Sequence, residues 1–265
     1  MESRFIKLAC GVIGIFAFVS LAVAQATGSD HLLAQLRSKD PQTRVQAADA
    51  LARKGVENMR AALPFVVDAT RDEITSVRHM ALTMLWREAF SSLAGAELIA
   101  TAMPSIIERF RDPDAKIRAD AIRLVGTIGE YNPSYAIGAV MPLIHDQDPD
   151  IRELALVALG TLGPERPQTK VLLLQRLKQD TAPQARGAAA QFLKNYDDAS
   201  VVSALIAALA DPDSDVRSQA AYSLAFIGPK ASAALPRLEA MAWEPYTDTQ
   251  LKKALHAALR SIRGR

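Results

Sequence analysis

Small and apolar residues recur three, six, seven and ten positions after a series of arginines. After Arg118 they are Ala121, Leu124, Val125 and Ile128; after Arg152 they are Ala155, Ala158, Leu159 and Leu162; after Arg217 they are Ala220, Ser223, Leu224 and Ile227. That spacing puts one apolar stripe on one face of an α-helix. Position plus three is Ala after Arg44, Arg78, Arg118, Arg152, Arg186 and Arg217. A small side chain there lets a neighbouring helix approach closely. Gly55, Gly129, Gly163 and Gly228 follow at plus eleven, where a helix end favours a residue that accepts positive φ. A second, less regular helix precedes each stripe. It is marked by Pro64, Pro104, Pro142 and Pro236, each expected to bend a helix from within. Between the two lies an Asp six residues before the arginine: Asp72, Asp112, Asp146, Asp180 and Asp211. Asp in a turn accepts free backbone N–H groups and starts the next helix.

The pattern repeats. From Arg44 to Lys252 the gaps between equivalent positions are 34, 40, 34, 34, 31 and 35 residues. Periods of this length mark a stacked array, in which each unit buries its face against the next.

The Pro, Asp and Arg at matching offsets, the Val77, Ile117, Ile151 and Val216 before the arginine and the Ala after it resemble the HEAT-repeat family, including bacterial HEAT-like repeats similar to those of phycobilin lyases. The resemblance covers roughly residues 30–263. It implies an all-α fold, a right-handed α-solenoid of about seven helix-pair repeats whose second helices line the concave surface. It also implies a hydrogen-bonded ladder between neighbouring repeats, built from Asp72 and Arg78, Asp112 and Arg118, Asp146 and Arg152, Asp180 and Arg186, and Asp211 and Arg217. The terminal units depart from the pattern: Ser38 stands at the first Asp place and Lys252 at the last Arg place.

Residues 1–29 stand outside the array. Arg4 and Lys7 precede an uncharged, mostly apolar run from Leu8 to Val23, and Ala22-Val23-Ala24 offers a small-x-small cleavage signal before Gln25. This reads as a secretory leader over residues 1–24, a short linker over 25–29 and a repeat domain over 30–265. The run is short against the ~20 residues of a membrane span. An exported location, periplasmic or secreted, is therefore expected; the alternative is anchorage by residues 8–23. Removing the leader takes away Arg4, Lys7 and Glu2 and leaves 29 basic against 28 acidic side chains. That balance, without a basic stripe, speaks against a nucleic-acid partner. The single cysteine, Cys10, falls in the leader, so the remaining chain depends on helix stacking rather than disulfides.

Chemistry is sparse. His31, His79, His145 and His256 are not grouped at metal-ligand spacing. Asp146, Asp148 and Asp150 alternate as in a calcium loop, but the closing Glu is missing and Pro149 intervenes, so capping is the expected role. No catalytic, cofactor or metal site is predicted. Trp86, Tyr222, Phe226 and Trp243 are the aromatics most open to a functional role. Positions five and nine after the arginine turn toward the groove: Asp49, Arg53, Thr83, Arg87 and Arg123 early in the chain, and Gln191, Asn195, Tyr222 and Phe226 later. Arg53, Arg87, Arg123, Gln191, Tyr222 and Phe226 are the candidate partner-binding residues, with Phe226 expected to be the more buried of the aromatic pair. The resulting expectation is a non-catalytic scaffold for a protein or peptide partner. The alternative is an enzyme or enzyme subunit of the phycobilin-lyase-like or HEAT-like DNA glycosylase type.

Overall fold

The computed structural model describes residues 30–32, 34–54, 56–163, 166–243 and 249–264. The expected leader with its expected cleavage signal, Cys10, Gly55 and Pro164 lie outside them. Fourteen α-helices and no strand are found among the described residues. They form two compact units that meet in sequence after Ile106.

The first unit contains α1 (Pro41–Ala52), α2 (Val56–Ala69), α3 (Thr75–Ser91), α4 (Leu93–Ala100) and the start of α5 (Met103–Ile107). Asp40 starts α1 by accepting from the Gln42 and Thr43 N–H groups, and Pro41 takes the first helical position. A proline is harmless there because its missing N–H has no intrahelical partner. The stripe residues Leu51, Ala81 and Leu85 are completely buried.

The second unit continues through α6 (Ala115–Ile128), α7 (Pro133–Val140), α8 (Pro149–Leu162), α9 (Pro167–Gln179), α10 (Pro183–Leu193), α11 (Ala199–Ala208), α12 (Ser214–Ile227), α13 (Leu235–Ala242) and α14 (Thr249–Ile262). Helices α6, α8, α10, α12 and α14 pack in succession, each against the next. The Ala at plus three is what permits this: Ala121, Ala155, Ala189 and Ala220 have no exposed surface. Ser223 occupies a stripe position and is also buried. Its hydroxyl donates to the Ala190 carbonyl of α10 at 2.7 Å, so the polar group is satisfied.

Two local expectations are corrected. Only Pro64 lies inside a helix; Pro104, Pro142 and Pro236 stand near the start of short helical segments. The first helix of these units therefore breaks and restarts at proline rather than bending through it. Positive φ is adopted by Gly228 but not by Gly129 or Gly163, whose φ values are −66° and −141°. At those two positions glycine answers packing: an added Cβ would lie 2.7 Å from Leu162 Cδ2 at Gly129 and 2.9 Å from Ile137 Cδ1 at Gly163.

Candidate functional site

The turns between paired helices carry the arginine ladder, and its pairing is shifted by one unit from the expectation. Arg44 donates to the Asp72 carboxylate at 2.9 Å, Arg118 to Asp146 at 3.1 Å and Arg186 to Asp211 at 2.7 and 2.8 Å. Each carboxylate belongs to the following repeat. Toward its own unit the guanidinium uses Nη1, which donates to the backbone carbonyl six residues back: Asp72 for Arg78, Asp112 for Arg118 and Asp211 for Arg217. The same Asp side chain also accepts the N–H two residues on, as Asp146 does from Asp148 and Asp211 from Asp213. Arg44 also joins the ladder although its own unit has Ser38, because the carboxylate comes from Asp72. The helix caps proper are Asp114, Asp148 and Asp213. Asp146 thus closes a turn, Asp148 caps a helix and Asp150 accepts from Gln184 at 3.2 Å, and no cluster of metal-binding side chains occurs among the described residues.

The ladder builds the array and leaves one face of each second helix open. In the first unit Asp49 lies between Arg87 at 2.6 Å and Arg53 at 2.8 Å. Burial opposes ionisation of Asp49, but hydrogen bonds from Arg87 and Arg53 outweigh it and hold the carboxyl below its usual range. Two predicted binding residues are therefore brought together, each already engaged by one carboxylate. Beside them Trp86 and Phe90 stack with ring centroids 5.4 Å apart, and Phe90 is 73 % exposed. Met80 and Leu93 are exposed on the same helix and just beyond it. Of these apolar residues sequence reasoning found only Trp86; the signal for Phe90 was its place one turn later.

In the second unit Arg123 reaches Asp120 at 3.4 Å and stays open to solvent. Gln191 lines a recess of about 330 Å³ together with Glu153, Gln184, Gly187, Asp215 and Gln219. Burial, then the neighbouring Asp150, push the Glu153 carboxyl above its ordinary range, against the pull of Arg123. Tyr222 and Phe226 lie one turn apart on α12, with Lys194, just past the end of α10, 5.3 Å from the Phe226 ring centre. Their order of burial is opposite to the expectation: Phe226 is 67 % exposed and Tyr222 42 %. Position nine points away from the stripe, so Phe226 does not pack between repeats.

The fold and this open helix face define an all-α protein of stacked helix-pair repeats. A family model for HEAT repeats matches residues 103–194 and 170–260, and the chain belongs to the HEAT-repeat family. No curated protein matches the sequence. Among solved structures, Escherichia coli YibA is similar with a TM-score of 0.52 at 18 % identity, covering 88 % of this chain and 92 % of the other. A designed armadillo repeat protein in complex with the peptide (KR)4 is similar with a TM-score of 0.51 at 17 % identity, covering 88 % and 98 %. At such identities the likeness shows the fold alone.

Proposed function

We propose that this protein is an exported, non-catalytic scaffold that holds an extended protein or peptide segment along the open face of its second helices. One observation carries the reading: Tyr222 and Phe226 are large, exposed and one helical turn apart on a face that also carries Gln191 and Gln219. Aromatic side chains with little local burial gain most by being covered, and amides beside them offer donors and acceptors to a polypeptide backbone. A polypeptide is also the ligand of the designed armadillo protein. The stacked Trp86 and Phe90 repeat the theme in the first unit.

The test is a selection of peptides from a random phage-displayed library on the whole protein. Binding of the selected peptides should weaken by ~2 kcal/mol or more in the Tyr222→Ala/Phe226→Ala double variant. Melting should stay close to that of the parent, because both rings are substantially exposed. Unchanged affinity in the double variant would remove α12 from the binding face. The export part of the reading rests on Arg4, Lys7, the apolar run and Ala22-Val23-Ala24. N-terminal sequencing should find Gln25 first; Met1 retained on membrane-bound protein would assign anchorage instead.

A further inference from the structure

The last helix pair carries a surface distinct from the α12 face. Helix α14 buries Leu251, Ala254, Leu255 and Ala258 and presents Lys252, Lys253, His256 and Arg260 to solvent. No carboxylate occurs between Thr249 and Ile262. Arg263 follows and pairs with Glu239 of α13. Against the near-neutral balance of the whole chain, this is a local excess of positive charge. Trp243, at the end of α13, is 87 % exposed, the most open of the large apolar side chains among the described residues. Two adjoining recesses of about 300 and 400 Å³ meet on His256, Leu259 and Arg263, and the larger one is walled by Trp243 and Ala242.

An exposed Trp, an apolar-floored recess and a basic rim therefore coincide at one place. We propose that the α13–α14 face docks an acidic polypeptide segment that inserts one apolar side chain between Trp243 and Leu259. The recess decides for a side chain over a lipid surface, which needs a protruding apolar face rather than a hollow. Arg263 is already paired with Glu239, and the remaining cations Lys252, Lys253 and Arg260 do not make the basic stripe that nucleic acid needs. Carboxylates of the partner meet Lys252, Lys253 and Arg260, which steer the encounter and set its orientation. This surface goes beyond the α12 reading and stands without it.

The experiment selects a random phage-displayed dodecapeptide library on the whole protein carrying Tyr222→Ala and Phe226→Ala, so that the α12 face contributes no binders. The expected consensus has Asp or Glu flanking one Leu, Phe or Trp. The selected peptide, made synthetically, should lose about tenfold or more in affinity with Lys253→Glu/Arg260→Glu and again with Trp243→Ala. Melting should hold in these variants, because all three side chains are exposed. With Trp86→Phe, Trp243 is the one remaining tryptophan, and its emission should shift to the blue when the peptide covers it. A selection without an acidic consensus overturns the proposal, as does affinity that survives the charge reversal within about twofold. Tighter binding of phosphatidylglycerol vesicles or of duplex DNA than of the peptide also overturns it and reassigns the face to phosphate.

Discussion

Arg152 grips Asp180 with two parallel hydrogen bonds, Nε to Oδ2 at 2.9 Å and Nη2 to Oδ1 at 2.8 Å. Its remaining nitrogen, Nη1, donates to the Asp146 carbonyl at 3.0 Å and the Gln147 carbonyl at 3.2 Å. One planar guanidinium thus ties the turn of its own repeat to the carboxylate of the next. Asp180 is almost fully buried, with 1 % of its side chain exposed. Arg152→Ala leaves that carboxylate only the Ala182 N–H at 2.9 Å and Arg176 at 3.6 Å, opens the Asp146 turn, and should cost roughly 1–3 kcal/mol in chemical denaturation. Arg152→Lys should recover little, because an ammonium cannot reproduce the fork. Full recovery by lysine would show that charge alone holds the joint.

Acid should loosen the array in a defined window. Burial works against ionisation of Asp180 and Asp211, but hydrogen bonds from Arg152 and Arg186 hold both carboxyls below the ordinary 3.8. At Asp198, which caps α11, hydrogen bonds from Lys170 and then Ser200 lower the value to about 2. A depressed folded-state pKa contributes stability above the unfolded value that is lost as pH falls through the folded one. The melting temperature should therefore drop steeply below pH 3.8. Asp180→Asn should be less stable at neutral pH and flatter across the acid limb. An equal slope in parent and variant would detach the ladder from acid unfolding.

Glu88 should behave in the opposite sense. It is 7 % exposed on α3, and burial raises its pKa above 4.5 against the pull of Arg87. A raised carboxyl means the folded state binds the proton more tightly, so the charged form weakens folding at neutral pH. Glu88→Gln should melt higher than the parent at pH 7, with the gap closing as pH approaches 4.5. A lower melting point at pH 7 would mean the carboxylate has a favourable role that burial does not cancel.

Two glycines should respond oppositely to alanine. A Cβ at Gly160 of α8 would run into the Phe192 ring of α10, whereas at Gly138 of α7 it meets nothing within 4 Å. Gly138→Ala should stabilise by roughly 0.5–1 kcal/mol through helix propensity. Gly160→Ala should cost about 1–3 kcal/mol through overpacking. Thermal melts of the two variants decide it, and stabilisation of both would show that Phe192 can step aside.

Much of the fold is legible in the sequence. The Ala at plus three, the stripe beyond it and the turn Asp recur with a period set by one helix pair. A short-range pattern of that kind dictates local helices and the close contact between them. The partner of each ladder carboxylate was not legible: Asp180 stands 28 residues from Arg152 and six from Arg186, and spacing points to the nearer arginine, which takes the Asp180 carbonyl rather than its carboxylate. The choice fell to how neighbouring repeats stack, which a linear spacing does not contain.

The binding face divides the same way. Position five and position nine were correctly expected to leave the stripe, but not which of Tyr222 and Phe226 would be covered. Nor did spacing reveal that Glu153 and Gln191 share a recess or that Trp243 stands beside the α14 cations. Periodicity assigns a residue to a face of its own helix. How far that face is then covered depends on side chains of neighbouring helices some thirty residues away, and only their packing decided it.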